Sequence, residues 1–269
     1  MVLDRKAEIH TNFDDRNQFD FKVNWTQYRM SHNSKTSADR WPNLFSGSVV
    51  GVGFIAAVSA LLFFAWLAEE MLAGDTMLFD NIVRGFVHEH SCDTLTALMR
   101  AFTFAGSTLV ISTLTGLVLA VFIFGRHWWS TVVFAVMMAG ALLLNFVLKT
   151  SFARDRPTTY FDTPVPNSYS FPSGHALFSL CFYVSLAWIL TRHMTGRLPK
   201  VGVWLFAVLL VCGVGLSRIY LGVHYPSDVI AGYATAVIWL SAVAGADGWL
   251  SARSPLSKKR LPAKKGKGR

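Results

Sequence analysis

Three short polar segments decide how this chain folds: KTSFARDRP (149–157), PSGH (172–175) and SRIYLGVHYPSD (217–228). The chain around them is mostly apolar, so their charged residues lie near the ends of hydrophobic segments. Charge at such positions is costly unless the groups pair with one another or line a site. Either the three polar segments converge on something anionic, or they are unrelated anchors at a membrane surface.

The composition is typical of a protein that crosses a membrane several times. Of the 269 residues, 52% are hydrophobic and only 15% are charged, and the mean hydropathy is +0.39. The formal net charge is +9, and the basic residues are concentrated at the two termini, without basic-aromatic patterning between them. This distribution indicates a topology signal and argues against nucleic-acid binding. Cys92, Cys181 and Cys212 lack metal-ligand spacing, and the last two, which fall inside apolar runs, are interpreted as packing residues.

Six uncharged stretches are long enough to span a bilayer: 41–68, 101–125, 127–148, 171–191, 201–217 and 229–246. Lipid cannot satisfy backbone polar groups, so each stretch should be a helix. The sequence therefore predicts an all-α, polytopic membrane protein with six transmembrane helices. Between the first and second spans, apolar residues recur at helical spacing within 69–100, which predicts short interfacial amphipathic helices.

These spans divide the chain into three parts. Residues 1–40 form an amino-terminal tail, 41–247 the six-helix transmembrane domain with its site at 149–228, and 248–269 a basic carboxy-terminal tail. The first forty residues are polar, so we expect no cleavable signal peptide, and the first span should act as an uncleaved anchor.

The distribution of Lys and Arg predicts the orientation. Of the 25 basic residues, 19 lie on the side that holds both tails and six on the other. Because cytoplasmic loops carry the excess of basic residues, both termini should be cytoplasmic. All three polar segments then share the opposite face, which in a bacterial inner membrane is the periplasmic or extracytoplasmic one.

The basic residues on that face suit phosphate binding. Arginine binds phosphate through a planar fork and lysine through a point charge, and Lys149, Arg154, Arg156 and Arg218 supply both. Snorkelling toward anionic headgroups is a weaker explanation, since this face is otherwise poor in basic residues. Ser173 and Gly174 fall at the predicted start of the fourth span, where free backbone N–H groups attract an anion.

His224 and Asp228 carry the sharpest chemical signal. A neutral histidine can act as a nucleophile at physiological pH, and a carboxylate on its other ring nitrogen would fix the tautomer. Asp228 could also simply stabilise the start of the sixth span. His175 faces either this site or the interior of the bundle. Together these groups suit phosphoryl transfer without a metal or other cofactor, because the polar segments hold no acidic cluster typical of a metal site.

The three polar segments resemble the signature of the type 2 phosphatidic acid phosphatase superfamily, which includes lipid phosphate phosphatases and is related to vanadium haloperoxidases. That signature reads Lys, six residues, Arg-Pro; then Pro-Ser-Gly-His; then Ser-Arg, five residues, His, three residues, Asp. All three parts are present with their spacings kept. The matching residues are Lys149, Arg156 and Pro157, the segment 172–175, and Ser217, Arg218, His224 and Asp228.

The resemblance implies a role for each matching residue. His224 would be the nucleophile, Asp228 its partner, and His175 the general acid for the leaving group and then the base for water. The phosphate would be bound by Lys149, Arg156, Ser173, Gly174 and Arg218. Arg154 is not part of the signature, and its role stays open.

The predicted function is that of an integral-membrane lipid phosphatase that works on the extracytoplasmic face through a phosphohistidine. Its partners would be the bilayer and a lipid phosphate, such as phosphatidate, phosphatidylglycerol phosphate or a polyprenyl diphosphate, and no nucleic acid. Two alternatives remain: transfer of the phosphoryl group to an acceptor other than water, and transport of a phosphorylated lipid without chemistry. The sequence does not indicate the oligomeric state.

Overall fold

The computed structural model describes residues 47–253. The predicted tail 1–40, the beginning of the first predicted span and the end of the basic tail lie outside this range. Eight helices form the described part: α1 (Gly47–Ala73), α2 (Thr76–Glu89), α3 (Asp93–Ala105), α4 (Thr108–Phe124), α5 (Trp128–Phe152), α6 (Gly174–His193), α7 (Arg197–Tyr220) and α8 (Pro226–Arg253).

Five of these helices are long and apolar enough to cross a membrane by themselves: α1, α5, α6, α7 and α8. Helices α3 and α4 pass the same test as a pair, which gives up to six spans. The predicted all-α, polytopic architecture is therefore confirmed. The last two helices are longer than the uncharged stretches that predicted them, since α7 continues through Tyr220 and α8 through Arg253.

The second predicted span, 101–125, differs from the structure in its course. The helix begins earlier, at Asp93, and bends by 42° between α3 and α4. At the bend the Ser107 hydroxyl accepts a hydrogen bond from Val110 N (3.3 Å) and caps α4. Gly106 allows α7 to approach, because a Cβ there would lie 3.0 Å from Val214 Cγ2 and closer still to Cγ1. The absence of charged residues locates a hydrophobic segment but does not show where the helix within it breaks.

The predicted amphipathic helix after the first span is present as α2, and its polar side faces the protein. Its buried residues are polar: Thr76, Asp80 and Arg84 recur every fourth position. Its exposed residues on the other side are large and apolar: Leu78, Phe79, Ile82 and Phe86. Apolar side chains are stable in lipid, and buried polar ones need partners in the protein. Helix α2 therefore presents Asp80 and Arg84 to the interior of the molecule.

Helix α6 lies at the centre of the bundle and packs against α5, α7 and α8. Its buried face carries Leu177, Cys181 and Phe182, each fully excluded from solvent. The first turn of α6 meets α8 closely at Gly232, where a Cβ would lie 2.6 Å from the Ser173 carbonyl oxygen and 3.0 Å from Ala176 Cβ. This contact fixes where the amino terminus of α6 lies.

A Cβ at Gly232 should therefore destabilise the protein, because backbone cannot move aside as a flexible side chain can. We expect Gly232→Ala to cost about 1–3 kcal/mol, as overpacked cores do, and to lower the apparent Tm in detergent. Gly245→Ala is the matched control, since Gly245 lies on the same helix and a Cβ there would have no neighbour within 4 Å. Equal melting temperatures for the two variants would contradict the close contact.

Candidate active site

His224 lies in the short turn between α7 and α8, and its side chain is only 2% exposed. Its Nδ1 is 3.3 Å from Asp228 Oδ2, and its Nε2 is 3.1 Å from Arg156 Nη1. A guanidinium only donates hydrogen bonds and a carboxylate only accepts them. The partners therefore assign the proton to Nδ1 and leave a lone pair on Nε2. That lone pair points toward the cationic side of the site.

The turn that carries His224 depends on Gly222. Its φ of +73° is in the region that favours glycine, and a Cβ would lie 2.8 Å from Tyr160 N and 2.9 Å from the Thr158 carbonyl. The loop 158–160 is hydrogen-bonded to the turn at this point, since Tyr160 N donates to the Leu221 carbonyl (3.0 Å). The backbone around His224 is thus held on both sides.

The Asp228 carboxylate is completely buried and saturated with donors. It accepts hydrogen bonds from Ser170 Oγ (2.5 Å), Tyr225 N (2.9 Å) and Arg154 Nη1 (2.7 Å), besides its contact with His224. Tyr225 directly precedes α8, so the bond from its backbone N–H also stabilises the start of that helix. Asp228 therefore faces His224 and also caps α8, so the two alternatives that the sequence allowed are compatible in this structure.

The amino terminus of α6 supplies part of an anion site. Ser173 N donates to the Asp228 carbonyl (2.9 Å), while Ser173 Oγ is buried and makes no hydrogen bond to any described residue. The next N–H groups begin the helix and have no acceptor within it. Free N–H groups and the helix dipole both favour an anion here.

Arg218 adds a buried cation to the site. It lies in the last turn of α7, is 6% exposed, and donates from Nη1 to the hydroxyl of Thr103 on α3. Its Nε is buried without a hydrogen-bond partner among residues 47–253. Buried polar atoms normally have partners. The unpaired donor of Arg218 and the unpaired hydroxyl of Ser173 both fit a phosphate oxygen.

Lys149 and Arg156 bind neutral carbonyl groups. Lys149 Nζ donates to the carbonyls of Tyr169 and Ser170, and Arg156 donates to those of Ser168 and Val223, both at 2.7 Å. Carbonyl oxygens orient these cations without cancelling their charge. Burial lowers the pKa of the Arg156 guanidinium from its ordinary value, against the opposing influence of the Asp228 charge. A desolvated guanidinium binds an anion more strongly.

His175 lies in the first turn of α6 and is half-buried. It is within electrostatic range of Arg218, His224, Arg156 and Lys149, so it belongs to the same site. The structure thus brings together all eight residues that the sequence pointed to: Lys149, Arg156, Ser173, Gly174, His175, Arg218, His224 and Asp228.

The sequence did not point to several residues that support this site. Ser170 donates to Asp228 and Thr103 accepts from Arg218. Arg154, whose role the sequence left open, pairs with Asp228 and also with Asp80 on α2 (2.9 Å). The one signal for Asp80 was its place in the four-residue repeat Thr76, Asp80 and Arg84.

Fold and site together define a multi-spanning membrane protein with a histidine–carboxylate pair beside an anion cradle. We use this name for Lys149, Arg156, Arg218 and the amino terminus of α6 at Ser173 and Gly174. Residues 131–249 match the family model described as "PAP2 superfamily", a range that contains all eight site residues. The chain belongs to this superfamily, as its three polar segments predicted.

Relatives in bacteria and archaea support this assignment. The chain is 29% identical to phosphatidylglycerophosphatase B of Bacillus subtilis over 191 residues, which cover 71% of this chain and 94% of that one. It is 35% identical to undecaprenyl-diphosphatase of Sulfolobus acidocaldarius over 170 residues, 61% of this chain and 77% of that one. Among solved structures, a transmembrane PAP2 type phosphatidylglycerolphosphate phosphatase from Bacillus subtilis matches with a TM-score of 0.64 and 27% identity, over 74% of this chain and 98% of that one.

The burial of His224 makes a prediction about stability and pH. Burial lowers the pKa of His224 to about 3, although the hydrogen bond to Asp228 raises it. In the unfolded chain the pKa is about 6.5, so the unfolded state takes up this proton first as the pH falls. The contribution of neutral His224 to the stability of the folded state is complete above pH 6.5. It is lost as the pH falls from there toward 3, by up to about 1.4 kcal/mol per pH unit.

We therefore expect the apparent Tm of the parent to fall more steeply between pH 7 and 4.5 than that of His224→Gln. His90→Gln, a change at an exposed histidine, should keep the steep dependence of the parent. Identical pH profiles for the parent and His224→Gln would show that His224 is not held neutral in the folded state.

Proposed function

We propose that this protein hydrolyses the phosphate ester or diphosphate of a membrane lipid, through a phosphohistidine on His224 and without a metal ion. The observation that carries the proposal is the lone pair of His224 Nε2, which faces a cradle of cations and unpaired donors. The relatives support it, since their names describe phosphatases of phosphatidylglycerol phosphate, undecaprenyl diphosphate and, in Rhizobium etli, lipid A.

In the first step, Nε2 of His224 attacks phosphorus and the bond between phosphorus and the leaving oxygen breaks. His175 enters this step as the imidazolium and donates its proton to that oxygen, so that the lipid leaves as an alcohol or as a monophosphate. The imidazole gains positive charge as the P–N bond forms, and Asp228 stabilises this charge through Nδ1–H. Lys149, Arg156 and Arg218 bind the three remaining phosphate oxygens, whose charge is spread out in the transition state.

In the second step, water opens the phosphohistidine. His175, now neutral, takes a proton from the water as its oxygen attacks phosphorus. The P–N bond breaks, its electron pair returns to Nε2, and inorganic phosphate leaves. His175 is protonated again and ready for the next substrate. The cations and the amino terminus of α6 supply the neutralisation that a metal ion supplies in other phosphatases.

The location of the site suits a lipid substrate. Lys149, His175 and Arg218 lie at the ends of membrane-spanning helices, so a headgroup phosphate could reach them while the acyl or prenyl chain remains in the bilayer. Phosphatidate, phosphatidylglycerol phosphate and polyprenyl diphosphate all have this form. A panel of these lipids, assayed on one preparation, would rank them as substrates.

The purified protein should release inorganic phosphate from at least one of these lipids in the presence of EDTA. His224→Gln should lower kcat by about 10³-fold or more, because it removes the nucleophile. His90→Gln controls for the loss of a histidine as such. A fully active His224→Gln variant would contradict the assignment, and loss of the lipid phosphate without release of inorganic phosphate would indicate a transferase.

The predicted orientation can be tested at Cys92, an exposed cysteine in the turn between α2 and α3. The Tyr220 hydroxyl, near the end of α7, donates to its carbonyl (3.4 Å), so Cys92 lies at the same face as His224. With Cys181 and Cys212 replaced by alanine, a membrane-impermeant maleimide should label Cys92 in intact cells.

The control places a cysteine at the opposite face instead. Arg126→Cys, in the exposed turn between α4 and α5 of a chain without the other cysteines, should react only after the membrane is permeabilised. The reverse pattern of labelling would place the site in the cytoplasm.

A further inference from the structure

A buried carboxylate outside the three polar segments lies behind the candidate active site. Asp80, on the inward side of α2, is fully excluded from solvent. Its Oδ1 accepts from Ser227 N (2.9 Å), and its Oδ2 accepts from Ser227 Oγ (2.7 Å) and Arg154 Nη2 (2.9 Å). A buried charge is expensive unless it is fully paired. Both oxygens of Asp80 accept from Ser227 in the first turn of α8, and Oδ2 also accepts from Arg154, which binds Asp228 in that turn.

Arg154 connects Asp80 to Asp228. Its side chain is 10% exposed, and its two terminal nitrogens are divided between the two carboxylates: Nη2 toward Asp80 and Nη1 toward Asp228 Oδ1 (2.7 Å). The guanidinium lies over the ring of Tyr225, with its central carbon 4.1 Å from the ring centroid. A planar fork held at both ends and stacked on one face has a fixed orientation.

Because Arg154 binds one oxygen of Asp228, the two carboxylate oxygens accept hydrogen bonds from different donors. Oδ1 receives Arg154, while Oδ2 receives Ser170, the backbone of Tyr225 and Nδ1 of His224. Without Arg154 the carboxylate could turn about its side-chain bond and offer His224 a different oxygen or angle. Because Asp80 balances the guanidinium charge, Asp228 also keeps more of its negative charge for the imidazole.

We propose that Asp80 and Arg154 are positioning residues, which hold Asp228 so that Oδ2 faces Nδ1 of His224 and thereby orient the nucleophile. This inference rests on the proposed function. Neither residue contacts the cradle, so their loss should slow the chemical step and leave phosphate binding almost unchanged. A structural role alone, in which they tie α2 to α8, would instead reduce the folded fraction without changing the turnover of folded enzyme.

The test measures kcat, KM and inhibition by inorganic phosphate in Asp80→Asn and Arg154→Gln. We expect kcat to fall by about 10- to 100-fold, as for a misplaced reacting group. KM and the inhibition constant for phosphate should stay within about threefold of the parent, since uniform binding is untouched. Arg154→Lys, which keeps the charge and loses the fork, should fall between Arg154→Gln and the parent. Asn81→Ala changes the exposed neighbour of Asp80 and serves as the control.

A double-mutant cycle separates positioning from support of the fold. If Asp80 acts through Asp228, Asp80→Asn should have almost no further effect on kcat in an Asp228→Asn background. An equal loss of kcat in both backgrounds would overturn the proposal, as would a parent-like kcat in Asp80→Asn. If Asp80→Asn does not fold, Arg154→Lys takes its place in the cycle with the same expectations. Failure of the proposed function would look different, since the parent would then release no phosphate from any of the lipids, or His224→Gln would be as active as the parent.

Discussion

The Asp228 carboxylate, fully buried where α8 begins, is the group on which the arrangement of the polar segments depends. Its hydrogen-bond donors come from the segment after α5, from the residue before Phe171 and from the turn between α7 and α8. A carboxylate taken out of water must be paired, and loss of one partner from a buried ion pair costs about 3–5 kcal/mol. The first and third polar segments and Ser170, just before the second, must therefore meet at this point for the charge to be tolerated. The second segment joins them through Ser173 N, which donates to the Asp228 backbone carbonyl. The same requirement assembles the candidate active site.

The arginines of the first polar segment illustrate how the structure divides similar residues between different tasks. Arg154 and Arg156 are two positions apart, and nothing in their chemistry distinguishes them. Arg154 is neutralised by two carboxylates, whereas Arg156 donates to carbonyl oxygens and to His224. Lys149 and Arg218 likewise have no carboxylate within salt-bridge distance in the described part of the chain. The positive charge that remains uncancelled therefore faces the place where a phosphate would bind.

The sequence predicted the site better than the packing around it. The eight residues of the candidate site could be grouped from the sequence because their spacings repeat a known signature. In addition, the number of predicted spans between the polar segments puts all three segments on one face. The orientation of α2 could not be found, since periodicity shows which residues share a side but not which side meets protein when the surroundings are lipid. Asp80 belongs to no motif, and its partner Arg154 lies 74 positions away. The close approach of α7 at Gly106 involves Val214, a distant residue that no local pattern points to.

If the phosphoryl group passes through Nε2 of His224, the phosphohistidine can be trapped during turnover. Enzyme turning over a lipid labelled with ³²P would be quenched in alkaline detergent, which preserves phosphohistidine, then digested and mapped by mass spectrometry. We expect a label that is stable in base, lost in acid and confined to the peptide that contains His224. An acid-stable label on another residue, or rapid turnover with no labelled enzyme at any time, would contradict this expectation.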